Sequence, residues 1–323
     1  MTRPALKVKN LNVRFEAGTH SRQVVENVSF SINAGEMTGL VGESGCGKSF
    51  TAQAIMGLLP AAGASVNSDT IEINGQDISR INSAQRRKIL GRDIAMIFQQ
   101  PGTALDPVFT LGQQISAVYK RHQKVSKQTV RQTMLETLKS VGFSQPEQIA
   151  AAYPHQLSGG MRQLAMIAMA TVCKPAVIIA DEPTTALDSG TRAMILQQLK
   201  RLQTEHQTAI LLISHDLTVV QKSCRNIMVM YCGRIVEKTD CQNLFANARH
   251  PYSAGLLACI PQISGNRKFG ISAIPGQVPA AAELPPGCHF APRCDRAVTQ
   301  CRESVPPLDL ENSASVACFR PLP

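Results

Sequence analysis

Residues 42–49 read GESGCGKS and follow the apolar run MTGLV directly. Glycine at 42, 45 and 47 lets the main chain wrap tightly, so that successive N–H groups and the start of the next helix face an anion. Lys48 then supplies a positive charge for β- and γ-phosphates, and the Ser49 hydroxyl a ligand for Mg²⁺. Ser44, Cys46 and Phe50 share the loop, Phe50 contributing through its backbone. Positive potential here predicts a Cys46 thiol drawn towards thiolate.

Two further strand ends carry matching groups. In AVIIADEP, Asp181 can hold the Mg²⁺ shell through water, while the adjacent Glu182 can polarise an attacking water. A pair of acids at the end of a buried strand is costly without cations nearby, which favours a role over a plain turn. In ILLISHD, His215 can touch a γ-phosphate or orient the water and Glu182.

A different chemistry sits in the tail. Cys288, Cys294, Cys301 and Cys318 follow the pattern C-x5-C-x6-C-x16-C in a proline-rich stretch. Four converging thiolates would cross-link a segment with little regular structure. Zinc prefers closer knuckles, an iron–sulfur cluster tolerates wider spacing, and free thiols need no spacing at all. Spacing leaves these three open, and His289 could stand in for one ligand. The other cysteines (173, 224, 232, 241 and 259) read as small hydrophobes or free thiols.

The elements that must position these groups are legible as patterns. LKVKNLNVRF and VVENVSFSI alternate as half-buried strands do, and Asn74-Gly75 in TIEINGQDI signals a hairpin, so an antiparallel layer comes early. MTGLV, AVIIAD and AILLIS read as buried parallel strands of an α/β sheet with function at their carboxyl ends. Between about residues 110 and 170 the pattern is helical, an insertion in the α/β core. Beyond residue 250, frequent prolines argue against long regular elements, which places a boundary there.

Composition excludes other classes. No apolar run reaches the length of a membrane-spanning helix, LAMIAMATVC being a buried helix face, and MTRPALKVKN lacks a secretory pattern, so cytoplasmic residence is expected. The net charge of +10 is uneven: Arg80, Arg86, Arg87, Lys88, Arg92, Lys120, Arg121, Lys124, Lys127 and Arg131 meet only Asp93 and Asp106. That stretch is either a set of solvated helix faces or a surface docking near an anionic one. With no Trp and four Tyr, the aromatic platform of a single-strand nucleic-acid binder is missing.

The stretch YPHQLSGGMRQ, residues 153–163, closely resembles the signature of ATP-binding cassette (ABC) ATPases. The resemblance implies an α/β fold: a RecA-like P-loop core with an antiparallel β layer, a helical subdomain at about 100–165, and a nucleotide-binding domain over 1–250. It implies that Ser158, Gly159, Gly160 and Gln163 reach the nucleotide held by an opposing subunit, so that two cassettes close around ATP and part after hydrolysis. Gln99 in MIFQQP resembles the Q-loop glutamine, a sensor of Mg²⁺ or γ-phosphate. Asp188 in TTALD resembles the D-loop acid that crosses the dimer interface. Phe15 stands where the family stacks an aromatic on adenine, although an apolar strand residue of the core reads the same way. Leu164 and Gln100 depart from the family, where a basic and an acidic residue are common.

Within that class the whole chain is similar to ATP-binding subunits of bacterial dipeptide, oligopeptide and nickel importers, on the marks YPHQLSGGMRQ, IADEPTTALD, RHPYSAGLL and the cysteine tail. The resemblance implies a Mg²⁺-dependent ATPase at the cytoplasmic face of the inner membrane. Its expected partners are two transmembrane permease subunits, a second ATPase subunit, usually a paralogue, and an extracytoplasmic solute-binding protein, with no nucleic acid. It also implies a [4Fe-4S] cluster on Cys288, Cys294, Cys301 and Cys318 in a C-terminal domain over 251–323. A translation or repair ABC ATPase would carry a second cassette or a long coiled coil between Ser49 and Ser158, and neither is present. A P-loop kinase would leave LSGGMRQ unexplained.

Overall fold

In a computed structural model, the described residues are 3–17, 20–60, 62–260, 273–280, 283–309 and 314–323. Among these residues twelve strands run in chain order: β1 Leu6–Ala17, β2 His20–Ile32, β3 Met37–Val41, β4 Ala64–Asn67, β5 Thr70–Ile73, β6 Gln76–Asp77, β7 Ile94–Ile97, β8 Val177–Asp181, β9 Ala209–Ser214, β10 Asn226–Tyr231, β11 Arg234–Asp240 and β12 Ser315–Val316. They divide into two compact units. The first comprises Met1–Leu6, Ile32–Glu36 and Glu72–Leu211; the second comprises Lys7–Ser31, Met37–Ile71 and Leu212–Pro323.

In the second unit, β2 and β1 form the expected antiparallel layer, with β4 also on β1 in the register Asn12↔Asn67 to Phe15↔Ala64. Alternation in β1 changes phase at Asn10: Leu6 and Val8 are buried before it, Leu11 and Val13 after it. Asn10 has φ 51°, and its N–H donates to the Ser29 hydroxyl at 2.8 Å. An inserted residue in the left-handed region makes this kind of bulge, and Asn27 (φ 50°) does the same in β2.

The same unit holds a second sheet in which β12, β11, β10 and β3 follow one another, continuing into β9, whose second half lies in this unit. β10 is parallel to β3 and antiparallel to β11. Met37–Val41 is buried at every position, as a strand covered on both faces should be. β10, NIMVMY, is equally apolar and was not singled out from sequence, because a short apolar run has no period of its own. Among the described residues beyond 250 the regular elements are short: the helices Pro251–Ala258 and Thr299–Glu303, the single turn Ala291–Arg293, and β12.

In the first unit β7 and β8 pair in parallel, Ile94↔Val177 to Ile97↔Ala180, with the first half of β9 beyond β8. The expected hairpin joins β5 to β6 through Asn74 and Gly75 at φ 48° and 78°. No strand lies between Ile97 and Val177. Instead the helices Leu111–His122, Lys127–Ser140 and Pro146–Ala151 pack on one another and lead into Gly159–Thr171. Thr110 and Ser126 cap the first two of these through hydrogen bonds to the amides of Gln113 and Thr129.

Candidate functional site

The phosphate loop lies in the second unit, between β3 and the helix Lys48–Met56. Its shape depends on two glycines. Gly47 precedes the helix at φ 109°, and a Cβ there would stand 2.6 Å from the Val24 carbonyl oxygen. A Cβ on Gly42, at φ 155°, would meet the Met230 carbonyl at 2.2 Å and Cys46 Sγ at 2.8 Å. No other residue fits either place. The Lys48 ammonium is buried and donates to the Gly42 and Glu43 carbonyls at 2.9 and 3.0 Å. Ser44 and Gly45 are exposed at the tip, and Ser49 and Phe50 half-buried at the helix start.

Cys46 corrects an expectation. The loop's positive potential does lower its pKa through Lys48, but burial outweighs this and pushes the thiol up. At 1% exposure it is a protonated packing residue facing Lys48 Nζ at 3.6 Å.

Phe15 is half-buried on β1, and its ring lies 5.1 Å from that of Phe50. Its side chain therefore sits beside the loop helix, outside the buried core of that layer. His215 is exposed immediately after β9.

The first unit collects the acids. Asp181 ends β8 at 4% exposure. Glu182 follows with φ 47°, a strained conformation for a residue with a side chain. One carboxylate oxygen, Oε2, accepts hydrogen bonds from Gln99 Nε2 and Thr185 Oγ1, both at 2.9 Å. Gln99 and Glu182, matched from separate motifs, are thus brought together, and Thr185 joins them without having been singled out. Its signal was spacing: it stands three residues beyond Glu182, within reach of a tight turn.

Ser158 caps the helix Gly159–Thr171, accepting from the Met161 amide at 3.3 Å. Ser158 and Gly159 are exposed, and nothing lies within 4 Å of a Cβ placed on Gly159. A helix N-terminus with free amides and an unshielded glycine suits the approach of an anion. Gln163 faces the other way: it is 2% exposed, and its Nε2 has no hydrogen-bond partner among the described residues. Asp188 caps Ser189–Glu205, receiving the Thr191 amide at 2.9 Å and hydroxyl at 2.7 Å. These bonds, the amide's first, hold its carboxyl below the usual carboxylate range.

In the tail, burial pushes Cys288 up to about 11, with a further push from Cys301 and Cys318. Burial likewise raises Cys294 and Cys318, each within electrostatic reach of Cys301. The Cys288 amide donates to the Cys301 carbonyl at 2.8 Å, which brings these two residues together, yet among the described residues no three His, Cys, Asp or Glu side chains are grouped to hold a metal ion. In donor chemistry the four cysteines suit a thiolate-bound centre, while their side chains are not gathered as such a centre requires. His289 is turned away from a ligand role, with Nδ1 3.0 Å from the Cys232 carbonyl and Nε2 3.8 Å from Glu26.

Comparison with known proteins extends these observations. Residues 25–185 match the family "ABC transporter", and residues 236–301 match "Oligopeptide/dipeptide transporter, C-terminal region". The oligopeptide transport ATP-binding protein AppD of Bacillus subtilis (strain 168) is 44% identical over 97% of this chain and 96% of its own length. The dipeptide transport ATP-binding protein DppD of Escherichia coli (strain K12) is 42% identical over 98% and 97%. Among solved structures, the dimeric ATP-binding cassette MJ0796 bound to ADP and Pi is 29% identical with a TM-score of 0.64, covering 73% of this chain and 98% of that one. The cassette cbiO1 from Clostridium perfringens, part of the transporter complex cbiONQ, is 27% identical with a TM-score of 0.61, covering 76% and 92%. A phosphate loop, a hydrogen-bonded Gln99–Glu182 pair, a capped signature helix and relatives matched end to end place the chain in the ABC transporter family of ATPases, among members that carry the oligopeptide/dipeptide transporter C-terminal region.

Proposed function

We propose that the chain is the ATP-hydrolysing subunit of an importer for dipeptides or oligopeptides. ATP binding closes a dimer of ATPase subunits, and hydrolysis resets it to drive a rearrangement of the permease. The observation that carries the hydrolytic reading is the Glu182 carboxylate, oriented by Gln99 and Thr185 through bonds to one oxygen. The carboxylate so held is the base that takes a proton from the attacking water. Lys48 exchanges its bonds to Gly42 and Glu43 for the β- and γ-phosphates. Phe15 stacks on adenine, and His215 orients the water. Ser49, Gln99 and Asp181 are the donor types that hold Mg²⁺, which, when bound, neutralises charge developing on the phosphates.

The cargo rests on the relatives, which are named for dipeptide and oligopeptide transport. The resemblance to importer subunits adds two permease subunits, a second ATPase and a solute-binding protein as proposed partners, and residence at the cytoplasmic face of the inner membrane. No helix among the described residues is long and apolar enough to cross a membrane. Ser158, Gly159 and Gly160 face the partner's nucleotide, with Asp188 at the same interface. We place the boundary of the nucleotide-binding domain near residue 250, with 251–323 as the tail domain; residues 261–272, 281–282 and 310–313 of that tail lie outside the described residues.

The deciding experiment is Glu182→Gln in the assembled transporter: ATP stays bound, the closed dimer accumulates and turnover collapses. Turnover at the wild-type level would remove Glu182 from the mechanism.

For the tail we assign Cys288, Cys294, Cys301 and Cys318 as ligands of a [4Fe-4S] cluster, supported by their soft thiol donors and by the 2.8 Å bond from the Cys288 amide to the Cys301 carbonyl. Such a centre would cross-link the proline-rich segment. Anaerobic purification followed by iron, sulfide and zinc determination checks this. Four irons and four sulfides per chain are expected, and stoichiometric zinc without iron would overturn it.

A further inference from the structure

Glu43, in the phosphate loop, is gripped by residues from the far end of the chain. Its N–H donates to the Tyr252 hydroxyl at 2.9 Å. Its carboxylate takes both terminal nitrogens of Arg293, at 2.8 and 3.2 Å. Its own carbonyl accepts Lys48 Nζ at 3.0 Å. One residue therefore joins the tail to the ammonium that meets the phosphates.

The grip is built to stay in place. The Arg293 side chain is 4% exposed against 27% for Glu43, so the guanidinium has little access to water. A buried guanidinium has to satisfy its donors, and this one does. Nε reaches the Pro275 carbonyl at 2.9 Å, while Nη1 also reaches the Tyr231 hydroxyl at 3.4 Å and Nη2 the Ile274 carbonyl at 3.5 Å. The Tyr231 and Phe290 rings flank it at 5.8 and 6.0 Å. Tyr252 is fully buried against the same two rings, 4.6 and 5.4 Å away. A parallel path exists: His289 contacts the Cys232 carbonyl, and the next amide, Gly233, donates to the Cys46 carbonyl at 2.8 Å. All these residues belong to the second unit.

We propose that Arg293 is a positioning residue of the nucleotide site, which through Glu43 fixes the peptide that holds Lys48 and thereby sets the affinity of the loop for ATP. The inference rests on the reading of this loop as the ATP site. It gives the segment between Cys288 and Cys294 a direct line to the nucleotide, and it gives Tyr252, in the stretch RHPYSAGLL, a task that motif matching did not reveal.

The test is a double-mutant cycle on the full chain, read by binding of fluorescent N-methylanthraniloyl-ATP with Mg²⁺ and by thermal unfolding of the same samples. Arg293→Gln and Glu43→Gln are each expected to weaken binding about tenfold, and the double variant no more than either one. Arg293→Lys should recover part of the loss. In steady state the KM for ATP rises while kcat at saturation holds, a split that general loosening would not produce. Unchanged affinity in folded Arg293→Gln, or fully additive losses that follow the unfolding temperature, would overturn the proposal. If Arg293→Gln fails to fold, the near-isosteric Glu43→Gln decides: wild-type affinity there also overturns it. Lys48→Ala separates the two levels, since wild-type affinity in that variant would mean that the loop is not the ATP site at all.

Discussion

At the scale of single residues, Glu182 combines two unusual properties. Its backbone sits at φ 47°, and its carboxylate accepts hydrogen bonds from Gln99 and Thr185 through Oε2. A left-handed conformation costs on the order of 1–2 kcal/mol for a residue with a Cβ, so the fold spends stability to aim this side chain. Replacing the base by an amide of the same shape preserves the aim and removes the proton acceptor. Glu182→Gln should therefore lower turnover about 10²–10⁴-fold with little change in nucleotide affinity, as measured by ATPase assay beside equilibrium binding. Gln99 and Glu182 were legible separately, because each belongs to a local string of letters. Glu43, Tyr252 and Arg293 were not legible as a group. Their bonds span 209 and 250 positions, and nothing in the spacing of a sequence announces contacts that distant. Cys46 failed for another reason: charge can be read from neighbouring letters, but burial depends on what folds over them, and here burial prevails.

At the scale of elements, the two signature glycines separate cleanly. A methyl on Gly159 meets empty space, whereas one on Gly160 would stand 2.6 Å from Thr191 Cγ2 on the neighbouring helix. Alanine is favoured over glycine in a helix by about 0.5–1 kcal/mol. Gly159→Ala should thus keep or raise the unfolding temperature of the chain, yet impair ATP turnover in the assembled transporter, where the proposed mechanism brings the partner's nucleotide to that space. Gly160→Ala should lower the unfolding temperature and be relieved by Thr191→Ser, which removes Cγ2. Scanning calorimetry beside an ATPase assay distinguishes the cases; wild-type turnover in Gly159→Ala would deny the glycine its role. Strands with alternation and helices with caps were legible from sequence. β7 and β10 were missed because a run buried on both faces has no period of its own, and neither leads directly into a Gly, acidic or His residue as β3, β8 and β9 do. The phase changes at Asn10 and Asn27 were hidden as well, since a bulge depends on the partner strand.

At the scale of the whole molecule, the charge of +10 has a location. Lys120, Arg121, Lys124 and Lys127 are exposed along the junction of the helices Leu111–His122 and Lys127–Ser140, beside the exposed Val125. Near an anionic leaflet each basic residue contributes about 1 kcal/mol, and that contribution fades with salt. Changing all four to Gln should weaken recruitment to anionic vesicles carrying the permeases at least about tenfold, with the deficit closing as ionic strength rises. Equal co-sedimentation of the two forms at low salt would assign these charges to plain solvation.

The grip on Glu43 also has a timetable. The phosphate loop leaves the ribosome early, but Arg293 follows 250 residues later. At about 5–20 residues per second, that interval is roughly 10–50 s, during which the loop exists without its clamp. A nascent chain in that window would bind ATP about tenfold more weakly, so the loop gains its full grip on nucleotide only once the tail has been made.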